Sequence, residues 1–254
     1  MRHETETAIR AVTNAIKIAD SREGSETVTS KGGIDLVTNT DVLCEDSIRA
    51  ELTEAFPDYA VVGEERGGTP TADRPYWLVD PICGTRPYAS DVPLYCANVA
   101  LIENNTVTLA AIGLGKNGET VYAEQGAGAY VRKNGVARKI AVTDSSNTLW
   151  LGGRGQHIAN VARAAMLSQR WYIWQFSSSI AYPYVAAGRI SGLVHFSEHL
   201  SSVHTAAGCF VAGAAGAIVT DIDGRPWTLE NRSYVLAATP VLHGELLQLV
   251  ANSR

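Results

Sequence analysis

The sequence predicts a layered fold of mixed α and β structure, and three observations carry that prediction. Apolar residues recur at helical spacing in some stretches and at strand spacing in others. These stretches do not alternate as strict strand–helix–strand units, so α/β and layered α+β arrangements both fit. The chain has 254 residues, 46% of them hydrophobic, which is enough for a large core or for two subdomains sharing one.

The elements follow in order. Residues 5–20 carry Ala8, Ile9, Val12, Ala15, Ile16 and Ala19 on one face and predict an amphipathic helix. Residues 21–34 are polar and Gly-rich, end in Lys31-Gly32-Gly33, and read as a mobile loop. A second helix is predicted over 41–56, with Val42, Ile48, Leu52 and Phe56 on a rough face and Pro57 as its stop. Residues 59–62 form a short strand into Gly63-Glu64-Glu65, and residues 76–80 form a central strand. Strands at 99–102 and 107–114 pair across a turn at 103–105. Strands at 120–123 and 129–131 continue the sheet, and Lys133-Asn134-Gly135-Val136 is a hairpin turn.

Composition shifts near residue 145, which divides the chain into an N-terminal α+β half (1–145) and a C-terminal α/β half (146–254) packed as one unit. In the second half, strands are predicted at 149–151, 171–176, 193–196, 217–221 and 234–238, and helices at 158–167, 205–215 and 240–250. Ser177-Ser178-Ser179 suits the cap of a helix running to Ala187 and ended by Gly188.

Charge and composition narrow the function. A net charge of −5 with no basic block argues against a nucleic-acid partner. No run is long and apolar enough to span a bilayer. The first residues lead into a polar helix instead of a signal peptide, and Cys44, Cys83, Cys96 and Cys209 form no CxxC pair, so the expectation is a cytoplasmic protein with reduced thiols.

The chemistry centres on Tyr76-Trp77-Leu78-Val79-Asp80-Pro81-Ile82-Cys83-Gly84-Thr85. A strand ending in Asp, followed by Pro, Gly and a Thr where a helix can begin, brings a carboxylate and helix N-terminal N–H groups to one point. Such N–H groups favour an anion, and a carboxylate beside an anion calls for a cation between them. Asp80-Pro81-Ile82-Cys83-Gly84-Thr85 resembles the D-P-[I/L]-D-G-T signature of the inositol monophosphatase-like phosphatases. Asp35 to Thr38 with Asp41, Gly63-Glu64-Glu65, Val185 to Arg189, Ala206-Ala207-Gly208 and Thr220 to Gly224 occur in that family's order, over nearly the whole chain. The resemblance implies an α-β-α-β-α five-layer sandwich.

It also implies a ligand set. In the family, the Glu of GEE, both Asp of the signature and an Asp of a later W-D-x-A-A-G motif hold magnesium ions that activate water and steady the leaving oxygen. Carried over, Glu64, Asp80 and the Ile82 carbonyl remain as metal ligands, Thr85 as the group that positions water, and Asp41 nearby. Cys83 stands where the family has its second Asp, and Val203-His204 where it has Trp-Asp; thiol and imidazole are poor magnesium ligands. Lys31, Gly84, Thr85, Ser177 and Ser178 are the expected anion- and substrate-binding residues.

From these losses the leading expectation is an enzyme on a small phosphate or sulfate ester that requires no cofactor. It would work by elimination or ring closure with loss of the oxyanion, with Glu64, Asp80, Cys83, Thr85 and His204 catalytic. The alternatives are a Mg2+-dependent phosphatase with a reduced metal site, on a sugar, inositol or nucleotide phosphate, and a non-catalytic binding or scaffold subunit. Two further readings of the altered residues are a zinc site on Asp80, Cys83 and His204 and a thiolate–imidazole pair of Cys83 and His204. Cys83 as a buried small side chain is the plain alternative. The family commonly dimerises, so a homodimer or a hetero-complex with another enzyme is expected.

Overall fold

The computed structural model describes residues 1–25, 27–32, 35–70, 73–199 and 201–253, without the side chains at 31 and 35. In chain order, the first half contains α1 (His3–Arg22), β1 (Val28–Gly32), β2 (Asp35–Thr38), α2 (Asn39–Ala55), β3 (Ala60–Gly63) and β4 (Tyr76–Cys83). It continues with α3 (Thr85–Tyr88), β5 (Cys96–Glu103), β6 (Thr106–Leu114), β7 (Glu119–Glu124), β8 (Gly128–Lys133) and β9 (Val136–Ile140). There follow β10 (Thr148–Gly153), α4 (Gln156–Leu167), β11 (Tyr172–Trp174), α5 (Ala181–Ala186), β12 (Gly192–Phe196), α6 (Ser202–Ala214), β13 (Ile218–Asp221), β14 (Tyr234–Ala237) and α7 (Pro240–Ala251).

Four buried clusters join five layers. Ala8, Val12 and Ile16 of α1 and Ile48 and Leu52 of α2 pack on Trp77, Val79, Val99 and Leu109 of the seven-stranded sheet β3-β4-β5-β6-β7-β8-β9. The opposite face, with Leu78, Ala100 and Ile112, meets Ala206, Ala207 and Val211 of α6. Residues of α5 and α6, among them Tyr182, Val185 and Cys209, then meet Trp150, Leu193 and Leu236 of the five-stranded sheet β11-β10-β12-β14-β13. Its outer face packs on Ile158 and Val161 of α4 and Leu242 and Leu246 of α7. This is the α-β-α-β-α sandwich. The central strands are apolar on both faces because both are covered, so β4 and β5 read as continuous hydrophobic runs.

The structure revises several boundaries. Residues 28–32, expected within a mobile loop, pair antiparallel with 35–38. Helix α2 starts two residues earlier than predicted, because Thr38 caps it. The Thr38 hydroxyl accepts from the Thr40 and Asp41 N–H groups, and the Asp41 carboxylate reaches back to the Thr38 N–H, a capping box. The Ser177–Ser179 run does not cap α5 directly; its N-cap is Ile180, whose N–H donates to Ser178 Oγ at 3.2 Å. The 133–136 turn is as predicted, with Asn134 and Gly135 at φ 51° and 79°. The aromatic residues of the stretch 171–176, expected to be a strand, divide: Trp171 is buried, while Tyr172 is 74% and Trp174 45% exposed on the edge strand β11.

Candidate active site

The site lies where the parallel strands β3 and β4 end together. Glu64 follows β3, and its N–H donates to the Val79 carbonyl of β4 at 3.1 Å. A buried carboxylate holds this corner. Glu45 of α2 accepts from the N–H groups of Glu65 at 2.7 Å and Arg66 at 3.0 Å, and from Arg49 Nε at 2.9 Å. Gly63 leaves room for it, since a Cβ there would fall 2.1 Å from Glu45 Oε1. Sequence reasoning missed Glu45; its spacing of four from Arg49 was the only local signal.

Strand β4 carries Pro81, which has no N–H, and its pairing with β5 shifts register between Asp80 and Cys83. Such a bulge bends the strand and re-aims the side chains beyond it. Gly84 then turns at φ 103°, a conformation that favours glycine; a Cβ would also meet Leu94 O at 2.7 Å and Ser178 Cβ at 2.9 Å. The expected helix start at Thr85 is a single turn, and Pro87 contributes no N–H to it.

On one side of the site the groups are oxygens. Asp80 is fully buried, and its Oδ1 has no hydrogen-bond partner among the described residues. Thr85 Oγ1 donates toward Asp41 Oδ1 at 3.0 Å and lies 3.2 Å from the Ile82 carbonyl. Asp41 Oδ2 accepts from the Thr38 N–H at 2.8 Å and the Thr38 hydroxyl at 2.5 Å. Burial nevertheless dominates and lifts the Asp41 carboxyl to about 6.

On the other side the groups are sulfur and nitrogen. His204 sits in the first turn of α6, and its Nδ1 lies 2.7 Å from Asp80 Oδ2 and 3.8 Å from Glu64 Oε2. Burial pulls the imidazole down, but the Asp80 carboxylate and its hydrogen bond, with help from Cys83, outweigh it and raise His204 well above the usual range. The Cys83 thiol is pushed up by Cys96 across the β4–β5 pair, then by burial and Asp80, against the pull of His204.

Ser179 joins these groups. Its N–H donates to Cys83 Sγ at 3.2 Å, its hydroxyl lies 2.6 Å from the same sulfur, and that hydroxyl donates to the His204 carbonyl at 2.8 Å. The neighbouring serines differ from expectation. Ser178 is buried, with its hydroxyl turned to the Cys83 carbonyl at 3.0 Å, and Ser177 is exposed. The structure thus brings Glu64, Asp80, Cys83, Thr85 and His204 together, with Ile82 and Gly84 as backbone. The Lys31 side chain and Gly33 lie outside the described residues.

A profile of the inositol monophosphatase family matches residues 1–254. The chain belongs to the inositol monophosphatase family. An inositol-1-monophosphatase of Mesorhizobium japonicum is 32% identical over 234 residues, spanning 88% of this chain and 85% of that protein. The Nus factor SuhB of Xylella fastidiosa is 33% identical over 207 residues, spanning 78% of this chain and 73% of that protein. Among solved structures, a Thermotoga maritima IMPase superposes with a TM-score of 0.87 at 25% identity, covering 98% of this chain and 96% of that one. The suhB extragenic suppressor protein of Bartonella henselae gives 0.90 at 22% identity over the full length of both chains, a likeness of fold.

Membership corrects two expectations. The leading one, elimination or ring closure on a phosphate or sulfate ester, is overturned: the chain is an enzyme of the inositol monophosphatase family, and its relatives include inositol-1-monophosphatases. The expectation that no cofactor is required falls with it, since this family works with magnesium. The residues fit magnesium on one side only. Asp80 Oδ1, buried without a partner among the described residues, is a carboxylate oxygen suited to a hard cation, and Glu64 shares His204 Nδ1 as a neighbour with Asp80. Cys83 and His204 offer sulfur and nitrogen and do not fit. Among the described residues, no helix is long and apolar enough to cross a membrane.

Proposed function

We propose that the chain is a magnesium-dependent phosphomonoesterase acting on a sugar, inositol or nucleotide phosphate through a reduced metal site. The observation that carries this reading is the oxygen of buried Asp80 without a partner among the described residues, one residue beyond the last β3–β4 pair, Gly63 with Val79. Glu64, Asp80 and the Ile82 carbonyl would hold the ion, which when bound supplies a Lewis acid and a water of lowered pKa. The second family position, at Cys83 and His204, is assigned no magnesium.

The chain's own residues orient the water. Thr85 has one hydroxyl proton, and both near neighbours, Asp41 Oδ1 and the Ile82 carbonyl, are acceptors. That proton is therefore committed to one of these two acceptors, and the lone pairs of Thr85 Oγ1 remain to accept a proton from a water. Asp41, at about 6, is ionised at neutral pH and draws the Thr85 proton toward itself, which strengthens Thr85 as an acceptor. With no metal on the Cys83–His204 side, an imidazolium at His204, held by Asp80, would place a positive charge beside the bound ester and donate to a departing oxygen.

Phosphate release from a panel of sugar, inositol and nucleotide monophosphates, with and without Mg2+, tests the reading. Magnesium-dependent release that Glu64→Gln abolishes is expected. No release from any of the panel at millimolar Mg2+ overturns it.

A further inference from the structure

We propose that Asp80, Cys83 and His204 form a site for a borderline-soft divalent cation, zinc in the first instance, where the family pattern would place a magnesium on carboxylates. The inference deepens the phosphatase reading and rests on it for the site's use in catalysis, whereas the binding stands on the geometry alone.

One ligand atom from each of the three residues lies within 4.8 Å of the other two. Tetrahedral zinc with Zn–S and Zn–N bonds of about 2.3 and 2.1 Å needs neighbouring ligand atoms roughly 3.3–3.7 Å apart, so modest side-chain rotations bring the set into place. The ligands come from two well-packed elements. Asp80 and Cys83 flank the register shift of β4, and His204 stands in the first turn of α6, which packs on the same sheet.

A second observation points to a ligand. Asp80 is fully buried, yet Oδ1 has no hydrogen-bond partner among the described residues. A buried carboxylate oxygen without a donor is costly, and a cation satisfies it. The surroundings also suit a bound sulfur: the Ser179 N–H aimed at Cys83 Sγ is the kind of donor that fixes and tunes a metal-bound thiolate. Glu64 Oε2, 3.8 Å from His204 Nδ1, stands at the edge of the group, where it can serve as a fourth ligand or orient a water. Oxygen, sulfur and nitrogen with an open position are a zinc donor set and a poor magnesium one. Coordination replaces the Cys83 S–H proton and the shared His204–Asp80 proton, both released to solvent, and no electron is transferred.

The test uses the full-length protein stripped with a chelator, then titrated with Co2+ and, separately, Zn2+ under reducing conditions. One equivalent of Co2+ is expected to give a near-ultraviolet sulfur-to-cobalt charge-transfer band, and one Zn2+ is expected to remain after dialysis by elemental analysis. Cys83→Ser, close in size to the native residue, should abolish the band and weaken Zn2+ binding at least about tenfold while circular dichroism stays unchanged. Cys83→Asp should lower the preference for Zn2+ over Mg2+ by a similar factor. No band and no retained zinc in the natural protein overturn the proposal, as does a band that survives in Cys83→Ser, which would place the sulfur elsewhere. Band and zinc without phosphate release would leave this site standing and remove the phosphatase reading; magnesium-dependent release without band or zinc would do the reverse.

Discussion

The two sides of the site share one backbone frame and differ in the atoms they present. On the oxygen side, Glu64, Asp80, Thr85 and Asp41 are the residues that the family pattern has there, and Thr85 Oγ1 bonds Asp41. On the sulfur–nitrogen side, Cys83 and His204 replace carboxylates, and Ser179 ties them together. The bulge in β4, the left-handed Gly84 and the Glu45 anchor serve both sides. A conserved scaffold therefore does not fix the ligand chemistry, because one side chain at a fixed position changes the donor atom without moving the chain.

The largest expected effect comes from the residue the two sides share. Asp80→Asn should remove metal binding on the oxygen side and the partner of His204 together, lowering kcat/KM by about 10²-fold or more in steady-state assays. An activity within a few-fold of the natural protein would break the view that Asp80 is central.

The double change Cys83→Asp plus His204→Asp converts the altered side to oxygens. Calorimetric titration should then show magnesium binding strengthened by about tenfold or more, since carboxylates are the ligands that ion prefers. An unchanged titration would mean that the difference between the two sides is without consequence for the metal.

Thr85→Val keeps the shape and removes the hydroxyl between Asp41 and the Ile82 carbonyl. A fall in kcat of about 10–100-fold with KM little changed is expected, the pattern for a group that orients water in the transition state. A change in KM alone would assign Thr85 to substrate binding.

Glu45→Gln tests the shared frame. It keeps the shape but puts an amide NH2 where a carboxylate oxygen accepted from backbone N–H groups or Arg49, a cost on the order of 1–3 kcal/mol in a denaturant unfolding experiment.

The last comparison separates two histidines, with little effect expected at pH 7. His204 is raised because Asp80 offsets its burial, whereas His195 is lowered to about 4 by burial, with both ring nitrogens unpartnered and the ring stacked between Trp150 and Tyr234. A histidine depressed in the folded state binds its proton more readily when unfolded, so its contribution is present above about 6.5 and is lost as pH falls toward 4. The loss is on the order of 3 kcal/mol at most. His195→Phe should flatten the unfolding free energy between these pH values with little cost at pH 7, and an unchanged acid slope would assign the loss to other groups.

Much of this molecule was legible in its sequence. The motifs stood in the family's order, and apolar periodicity marked α1, the strands of both sheets and α7, because side-chain burial leaves a repeating trace along the chain. Polar geometry leaves no such trace. Ser179 touches Cys83 from 96 residues away and His204 meets Asp80 across 124, so no local pattern announces either contact. The expectation of chemistry without a metal arose from counting lost carboxylates. The sequence by itself determined the family, the five layers and which donor atoms sit at positions 64, 80, 83 and 204. Only the tertiary structure decided that sulfur, nitrogen and a carboxylate oxygen of buried Asp80 gather at one place, that Ser179 and not Ser177 joins them, and that the His204 imidazole is shifted up while that of His195 is shifted down. Those outcomes depend on distances and burial between segments remote along the chain, which packing alone sets.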